Sequence, residues 1–385
     1  MKIALVSDSY FNLYSSISSH IAVLYNGLTK LGHEVKVFTS DVNIKKTEIE
    51  AEFVSLPAVP SYSCVGQGVK VTSLLSVSSL LEDFEPDIIH TFTFTMLSYM
   101  AVSYAIKNDI PAVCTAFDLR DIIEDKNNSS FIKAVNNIRY NFIAKKILQN
   151  CDKVLCFEEN GFKALSEYCE EEKIQVISLL ADSDIYNRKK VDSLKLRDFK
   201  ESYEIGFNKT SVLFAGDLSN PVTLGNLLDS WSGCVTPSDR LSLVIAGEGI
   251  EKEELLEICK IHGISSQVIY IENLPHEQMP LCYSSCDAFI VPTDKKSVYI
   301  EPLEAISCGT PVIVYKDSPM VNLFDKKKNA FVYSNNSELK KVLTGFNSLD
   351  NEQKKLIRNV VASTSVNNAA QKQAENIESV YESLF

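Results

Sequence analysis

Several features that mark specialised classes of protein are missing from this sequence. Its ten cysteines form no Cys-x-x-Cys pair, and many lie inside apolar runs such as AVCTAF and KVLCF. Cysteines in such runs behave as small buried hydrophobic residues of a reducing compartment. We therefore expect neither a disulfide framework nor a metal site.

Positive charge is also scarce. The chain has 38 Lys and Arg residues against 50 Asp and Glu residues, which gives a net charge of −12. Because phosphate backbones are bound by basic surfaces, nucleic acid is not expected as a main partner. The same balance argues against broad electrostatic adhesion to anionic lipid.

Long hydrophobic runs are absent as well. No stretch approaches the roughly 18 consecutive apolar residues of a membrane-spanning helix. The N-terminal MKIALVSDSYF has too short an apolar part for a signal peptide and predicts a first β-strand instead. The expected location is the cytoplasm.

What the sequence does contain is a repeated alternation of short apolar runs and helical patterns. At 385 residues and 45% hydrophobic content, the chain is long enough for two domains with separate cores. The first series of apolar runs is KIALVSD (2–8), EVKVFTS (34–40), AEFVSLP (51–57), PDIIHTF (86–92), IPAVCTAF (110–117), CDKVLCF (151–157) and IQVISLL (174–180). The second is SVLFAGD (211–217), LSLVIAGEG (241–249), QVIYIEN (267–273), CDAFIVPT (286–293) and TPVIVYK (310–316).

Continuous apolar strands separated by helices predict parallel sheets covered on both faces. Two such series predict two Rossmann-like domains, with a ligand crevice at the carboxyl ends of the strands and between the domains. The predicted boundaries are 1–183 for the N-terminal domain, 184–209 for a polar linker and 210–365 for the C-terminal domain. Residues 366–385 form a final helix, which is a candidate for crossing back to the N-terminal domain. Helices are also predicted over 20–33, near 69–83 and up to residue 149.

The order of these pieces resembles the retaining glycosyltransferases of family 4, which use nucleotide sugars and have the GT-B fold of two Rossmann-like domains facing a central cleft. The resemblance rests on SVLFAGDLSNPVTLGNLLDSW, LSLVIAGEGIEKEELLEI, NLPHEQMPLCYSSCDAFIVPT and LEAISCGTPVIV, with the LGHEV turn and PDIIHTF in the first half. It covers nearly the whole chain. Within the family, the section from IIHTFTF to CTAFDL is similar to enzymes that glucosylate diacylglycerol.

The resemblance also shows where this chain departs from the family's donor site. An Arg and a Lys that hold the donor pyrophosphate are replaced by Asp217 and Val222, and the first Glu of the acidic motif by Lys296. A family glycine that lets the backbone approach the sugar becomes Tyr299, while Glu304 keeps the second Glu position and is the candidate for a nucleotide contact. Glu301 lies on the same segment, but only three residues from Glu304, so we do not expect it to substitute for the lost first Glu. Losing two charged hydrogen bonds and gaining a repulsive carboxylate weakens diphosphate binding by about 4–10 kcal/mol.

The first half shows similar departures. Ser16 stands at the usual glycine of the loop after the first strand, and Phe117 stands where the family has a donor-contacting histidine. Leu179 and Leu180 replace an Asn-Gly turn. These changes all map to the donor crevice, whereas the turns of the scaffold are kept.

Other candidate residues each have two interpretations. His20 and His90 are predicted at the cleft, either as ligand contacts or as hydrogen-bonded structural residues. Glu248 is a nucleotide contact or a turn carboxylate. Asp118, beside Phe117, rebuilds a polar site or pairs with Arg120.

One further segment bears on location. The predicted helix over 131–149 is amphipathic and basic, and in lipid-modifying relatives such a helix faces the membrane. The other interpretation is an ordinary surface helix, which packs on the sheet and exposes its basic face to solvent. With membrane contact, the expected location becomes peripheral at the inner face of the membrane.

Two functional hypotheses follow. In the first, the chain belongs to a glycosyltransferase lineage serving glycan, glycolipid or glycoprotein assembly, with a degenerate donor site and a non-catalytic or partner-dependent role. Its partner would then be an active glycosyltransferase or an acceptor protein. In the second, it is an active retaining glycosyltransferase with a rearranged site, where Lys296 contacts phosphate and a UDP-sugar is the favoured donor.

Overall fold

The computed structural model describes the chain except for residues 9–15, 40–50, 57, 62–68, 73, 118–141, 207–208, 217, 219–220, 237–238, 251, 273 and 293–297. The chain divides into two compact units. The first contains Met1–Leu179 and Ala370–Phe385, and the second contains Leu180–Lys295 and Tyr299–Ala369.

The first unit is built on a seven-stranded parallel sheet with strand order β3-β2-β1-β6-β7-β8-β9. Its elements in chain order are β1 Lys2–Val6, α1 Ser16–Lys30, β2 Glu34–Thr39, β3 Phe53–Ser55, β4 Ala58–Ser61, β5 Val69–Thr72, α2 Leu74–Phe84, β6 Ile88–Thr91, α3 Met96–Lys107, β7 Ala112–Thr115, α4 over 142–150, β8 Lys153–Cys156, α5 Glu159–Leu165 and β9 Ile174–Val176. Strands β4 and β5 form a separate antiparallel pair.

The second unit has a six-stranded parallel sheet with strand order β12-β11-β10-β13-β14-β15. Its elements are α6 Ser193–Ser202, β10 Thr210–Ala215, α7 Pro221–Ser232, β11 Leu241–Gly247, α8 Lys252–Ile261, β12 Val268–Glu272, α9 Met279–Ser285, β13 Ala288–Ile290, α10 Glu301–Ser307, β14 Val312–Tyr315, β15 Ala330–Tyr333, α11 Asn336–Asn347 and α12 Asn351–Ala362. A last helix, α13 Ala369–Glu382, follows, and most of it belongs to the first unit.

The predicted fold class is confirmed in both units. Central strands such as β10 and β11 are buried along their whole length, as continuous apolar runs predict for parallel sheets covered on both faces. In each sheet the strand order reverses beside the first strand, between β1 and β6 and between β10 and β13. In open α/β sheets this switch point is where ligands bind, at the carboxyl ends of the strands.

Three local elements differ from the sequence expectation. Val69–Thr72 is a strand paired with Ala58–Ser61 rather than the start of a helix. The expected linker region contains α6, whose single buried residue, Phe199, gives almost no periodic signal. Strand β15 was not predicted, because its apolar run has only four residues and follows a charged turn at the edge of the sheet.

Among the described residues, no helix is both long enough and apolar enough to cross a membrane. The same part of the chain holds no group of three or more His, Cys, Asp or Glu side chains arranged to bind a metal ion. Most of the predicted 131–149 helix lies outside the described residues, which include its last turns in α4.

Candidate functional site

The switch point of the second sheet is shaped by two closely packed glycines. Gly216 directly follows β10, and Gly247 ends β11. A Cβ atom on Gly247 would lie 2.1 Å from the carbonyl oxygen of Gly216, so a side chain at this position would push the two strand ends apart. The Leu218 amide then donates to the Glu248 carbonyl at 2.7 Å, which joins the two loops that follow these strands.

Glu304 lies on α10, next to this switch point, and its carboxyl group is buried. The Tyr283 hydroxyl, on α9, donates to Glu304 Oε2 at 2.6 Å. Glu304 Oε1 has no hydrogen-bond partner within the described part of the chain. Burial and the neighbouring Glu301 charge raise the pKa of Glu304 to about 8, so this carboxyl group is largely protonated at neutral pH.

Glu301 is the acidic residue that sequence reasoning discounted. It begins α10, and its side chain is 6% exposed. Its Oε1 atom lies 3.7 Å from the position that a Cβ atom on Gly216 would take. Two buried carboxyl groups, Glu301 and Glu304, therefore occupy the carboxyl edge of the second sheet at its switch point.

The other donor-site candidates of this unit are placed as follows. The Tyr299 amide donates to Met320 Sδ at 3.4 Å, and the tyrosine is half-buried immediately before α10. Glu248 is half-exposed in the turn after β11. Lys296 and Asp217 lie outside the described residues.

In the first unit, an aromatic layer lies at the carboxyl edge of the sheet. Phe92, Phe117 and Phe157 follow β6, β7 and β8, and all three are buried. They surround the imidazole of His20, on α1, with ring-centroid distances of 6.0, 5.0 and 5.5 Å. We call these four residues the aromatic cluster.

His20 has no polar contact in this cluster. Neither ring nitrogen has a hydrogen-bond partner among the described residues, and burial lowers the pKa of His20 to about 3. The imidazole is therefore neutral at physiological pH. Ser16, the first residue of α1, lies one turn before it, and Asp118 lies outside the described residues.

His90 is placed differently from His20 because both of its ring nitrogens have partners. Nδ1 lies 2.6 Å from the Tyr381 hydroxyl, and Nε2 lies 2.7 Å from Thr115 Oγ1. Burial lowers the pKa of His90 well below its usual value, so the ring is neutral, with one donor and one acceptor nitrogen. This geometry joins β6 and β7 to α13, as the structural interpretation of His90 expects.

The sequence did carry a signal for the aromatic cluster. The runs PDIIHTF, AVCTAF and KVLCF each end in phenylalanine at a predicted strand end. Carboxyl ends of parallel strands meet at one edge of a sheet, so these rings could have been grouped. Tyr283 gave no comparable signal, because its partner Glu304 is 21 residues away on another helix.

Comparison with protein families assigns both halves of the chain. Residues 17–184 match the model described as Glycosyltransferase Family 4, and residues 197–361 match the model described as Glycosyl transferases group 1. Together these two regions cover most of the chain.

Several relatives match most of this chain at low identity, and two of them illustrate the range. The alpha-monoglucosyldiacylglycerol synthase of Streptococcus pneumoniae is 23% identical over 341 residues, which are 88% of this chain and 76% of the relative. The O-antigen biosynthesis glycosyltransferase WclY of Escherichia coli is 22% identical over 303 residues, which are 78% of this chain and 80% of the relative.

Solved structures share the fold over the full length. Anabaena Alr3699/HepE in complex with UDP-glucose superposes with a TM-score of 0.77 at 15% identity, covering 100% of both chains. The lipopolysaccharide glycosyltransferase WaaG superposes with a TM-score of 0.75 at 13% identity, covering 98% of this chain and 99% of WaaG. These similarities establish the GT-B fold.

Proposed function

Since this chain is built from a family 4 glycosyltransferase domain followed by a group 1 glycosyltransferase domain, we propose that it serves glycolipid or glycan assembly with an altered donor site. In this role it is non-catalytic by itself or depends on a partner. Its partner is an active glycosyltransferase or an acceptor protein.

The observation that carries this proposal is the buried Glu301 carboxyl group beside Gly216 at the switch point. A sugar nucleotide bound there would bring its diphosphate toward Gly216, where Glu301 Oε1 lies. An ionised carboxylate about 4 Å from a phosphate costs about 1–4 kcal/mol, depending on the local dielectric. This cost adds to the expected loss of the pyrophosphate-binding Arg and Lys, whose positions hold Asp217 and Val222.

The aromatic cluster supports the same proposal from the other unit. Phe117 stands where the resemblance expects a donor-contacting histidine, and it has no hydrogen-bonding group to offer a sugar hydroxyl. The ring centroid of Phe117 lies 4.6 Å from that of Phe157 and 5.0 Å from that of His20. The only polar group of this cluster is a neutral imidazole enclosed by three phenyl rings.

The acceptor class is inferred from the relatives. One is a synthase of a glucosylated diacylglycerol and another acts in O-antigen biosynthesis. We infer an acceptor among membrane glycolipids or surface glycans, and a cytoplasmic protein that works at the inner face of the membrane.

The alternative proposal is an active retaining glycosyltransferase with a rearranged site. It is favoured by the long alignment to a named synthase, over 341 residues. In this alternative Lys296 binds the donor phosphate in place of the lost Arg and Lys, and a UDP-sugar is the donor.

A transfer assay separates the two proposals. The purified chain is incubated with labelled UDP-glucose and the other common sugar nucleotides, together with diacylglycerol and glycan acceptors. The proposal predicts no product from the chain alone and co-purification of an active transferase or an acceptor from the native cell. Turnover by the chain alone, lost in Lys296→Ala, would establish the alternative; a purification that recovers neither kind of partner would also count against the proposal.

A further inference from the structure

A cluster of basic side chains lies at the amino edge of the second sheet, opposite the edge that carries Gly216. We call Arg188, Lys200, Lys354 and Arg358 the basic cluster. Arg188 opens a short 3-10 turn, Lys200 lies near the end of α6, and the other two are one turn apart on α12. Lys200, Lys354 and Arg358 lie around Asp287, which directly precedes β13, and Arg188 lies near Arg358.

Two of the four cations have defined partners. Lys354 Nζ lies 3.2 Å from Asp287 Oδ1, and Arg358 Nη2 lies 3.7 Å from the same oxygen. Arg358 also donates to the carbonyl oxygens of Ser284 and Cys286, at 3.0 and 2.5 Å. These contacts use the single carboxylate of the cluster and the carbonyl groups at the end of α9.

The other two cations, Arg188 and Lys200, form no ion pair within the described part of the chain. The hydrogen bond that Arg188 donates goes to the neutral Asn359 amide, Nε to Oδ1, at 3.4 Å. Burial and then the charge of Arg358 lower the pKa of both groups. For Lys200, the Asp287 carboxylate opposes this shift and Lys354 adds to it, and the net shift is still downward. Both cations are thus half-buried and repelled by their neighbours.

Glycines make room for both side chains. A Cβ atom on Gly309 would lie 2.6 Å from Arg188 Cδ, so the stem of this arginine packs directly over the glycine. A Cβ atom on Gly206 would lie 3.3 Å from Lys200 Nζ. The two cations are therefore held by packing beside Arg358 rather than spread into solvent.

We propose that the basic cluster binds a phosphate group. The cluster holds four cations, two of them guanidinium groups, and Asp287 forms ion pairs with only two of them. Guanidinium groups match the oxygens of a phosphate with paired hydrogen bonds. A bound phosphate supplies the ion-pair partner that Arg188 and Lys200 lack among the described residues. Because the chain as a whole carries a net charge of −12, such a concentration of positive charge is not a general property of its surface.

The site is separate from the donor edge of the same sheet and does not depend on the proposed function. Its ligand is either a soluble phosphorylated compound or the headgroup of an anionic phospholipid, because both present the same chemistry.

The first experiment titrates inorganic phosphate into the full-length protein by calorimetry at constant ionic strength. We expect saturable binding, weakened about tenfold or more in the double variant Arg188→Gln with Lys200→Gln. The matched control is Arg197→Gln, which removes a cation from the same α6 helix, where Arg197 is exposed and paired with Asp198 and Glu201. This control should bind phosphate like the wild type.

A second arm distinguishes the two sources of phosphate. The same proteins are sedimented with phosphatidylcholine vesicles, with and without phosphatidic acid. Binding to the acidic vesicles that is lost in the double variant identifies a headgroup, and phosphate binding without vesicle binding identifies a soluble ligand. Phosphate affinity that is equal in the double variant and in Arg197→Gln, or no saturable binding by the wild type at millimolar phosphate, would overturn the proposal.

Folding of the variants is checked separately. Removal of cations that repel Arg358 should leave the phosphate-free unfolding midpoint unchanged or raise it. Each single variant, Arg188→Gln or Lys200→Gln, should by itself weaken phosphate binding severalfold, so the test does not depend on the double variant.

Discussion

At the scale of single residues, the most informative group is the Glu304 carboxyl. It accepts a hydrogen bond from Tyr283 and interacts with the buried Tyr186, and its Oε1 atom has no hydrogen-bond partner among the described residues. A buried carboxylate in this setting is costly to ionise, and the nearby Glu301 adds to that cost. We therefore expect the Glu304 carboxyl group to be protonated in the folded protein at neutral pH.

This state predicts a pH dependence of stability. The pKa of Glu304 rises from 4.5 in the unfolded chain to about 8 in the folded chain, so the folded state holds a proton that the unfolded state has lost. Stability is therefore highest near or below the unfolded pKa and falls as pH rises toward the folded pKa. Between about pH 5 and about pH 9 the wild type should lose about 3–5 kcal/mol that Glu304→Gln does not lose.

The measurement is urea unfolding across this pH range, followed by a signal from the second unit. Glu352→Gln is the matched control, because Glu352 is exposed on α12 and should leave the wild-type pH profile intact. Parallel pH profiles for the wild type and Glu304→Gln would show that Glu304 is ionised in the folded protein.

Phe117 and Glu301 show which features of the candidate site can be predicted from the sequence. The resemblance indicates that Phe117 stands at the position of a family histidine. The packing of Phe117 against Phe157 and His20 could not be predicted in the same way, because it depends on strands and a helix that meet at one edge of the sheet. Glu301 was discounted because it lies three residues from Glu304. Its position beside Gly216 is set by the packing of α10 against the end of β10, which residue spacing does not reveal.

At the scale of elements, helix α13 contacts the first sheet and α1 through identifiable side chains. Tyr381 contacts the buried His90, and Glu378 Oε1 lies 2.7 Å from His33 Nε2. Gly27, on α1, lets α13 approach closely, since a Cβ atom there would lie 2.5 Å from Ala374 Cβ. A polar C-terminal helix is thus fixed to the first sheet by specific contacts.

Replacing this glycine should dislodge the helix. In Gly27→Ala the new methyl group overlaps Ala374 and the Ala370 carbonyl oxygen, 2.6 Å away, so we expect a loss of about 1–3 kcal/mol in the free energy of unfolding. Hydrogen exchange should show reduced amide protection across α13.

The control is Gly345→Ala, on α11, where a new Cβ atom meets no atom within 4 Å. There, the better helix propensity of alanine should stabilise the protein by about 0.5–1 kcal/mol. Equal effects of the two substitutions would contradict close packing between α1 and α13.

Element prediction from sequence succeeded where the apolar runs were long. Strands β1, β10 and β11 are buried along most or all of their length, and their runs of apolar residues predict them directly. Helix α6 was missed because it buries only Phe199, and the β4–β5 pair was missed because short antiparallel strands carry little periodic signal.

At the scale of the whole molecule, the function that we propose combines an intact scaffold with an altered donor site. Both sheets keep the order and switch point of the GT-B fold, and both family domains are recognised along the chain. The groups that speak for an altered site are the buried Glu301 carboxyl in one unit and the aromatic cluster in the other. We attribute this contrast to selection for the scaffold and its surfaces rather than for donor binding.

The most direct test of an altered donor site is a calorimetric titration with UDP, GDP, ADP and their common sugar conjugates, beginning with UDP-glucose. It uses the Arg188→Gln, Lys200→Gln double variant, so that binding of nucleotide phosphates at the basic cluster does not add to the signal. We expect no saturable binding at millimolar ligand, because the diphosphate would be repelled by Glu301 and would not be held by the Arg and Lys that the family has at positions 217 and 222. Micromolar binding of any one sugar nucleotide would contradict it and would establish that the donor site has been rebuilt.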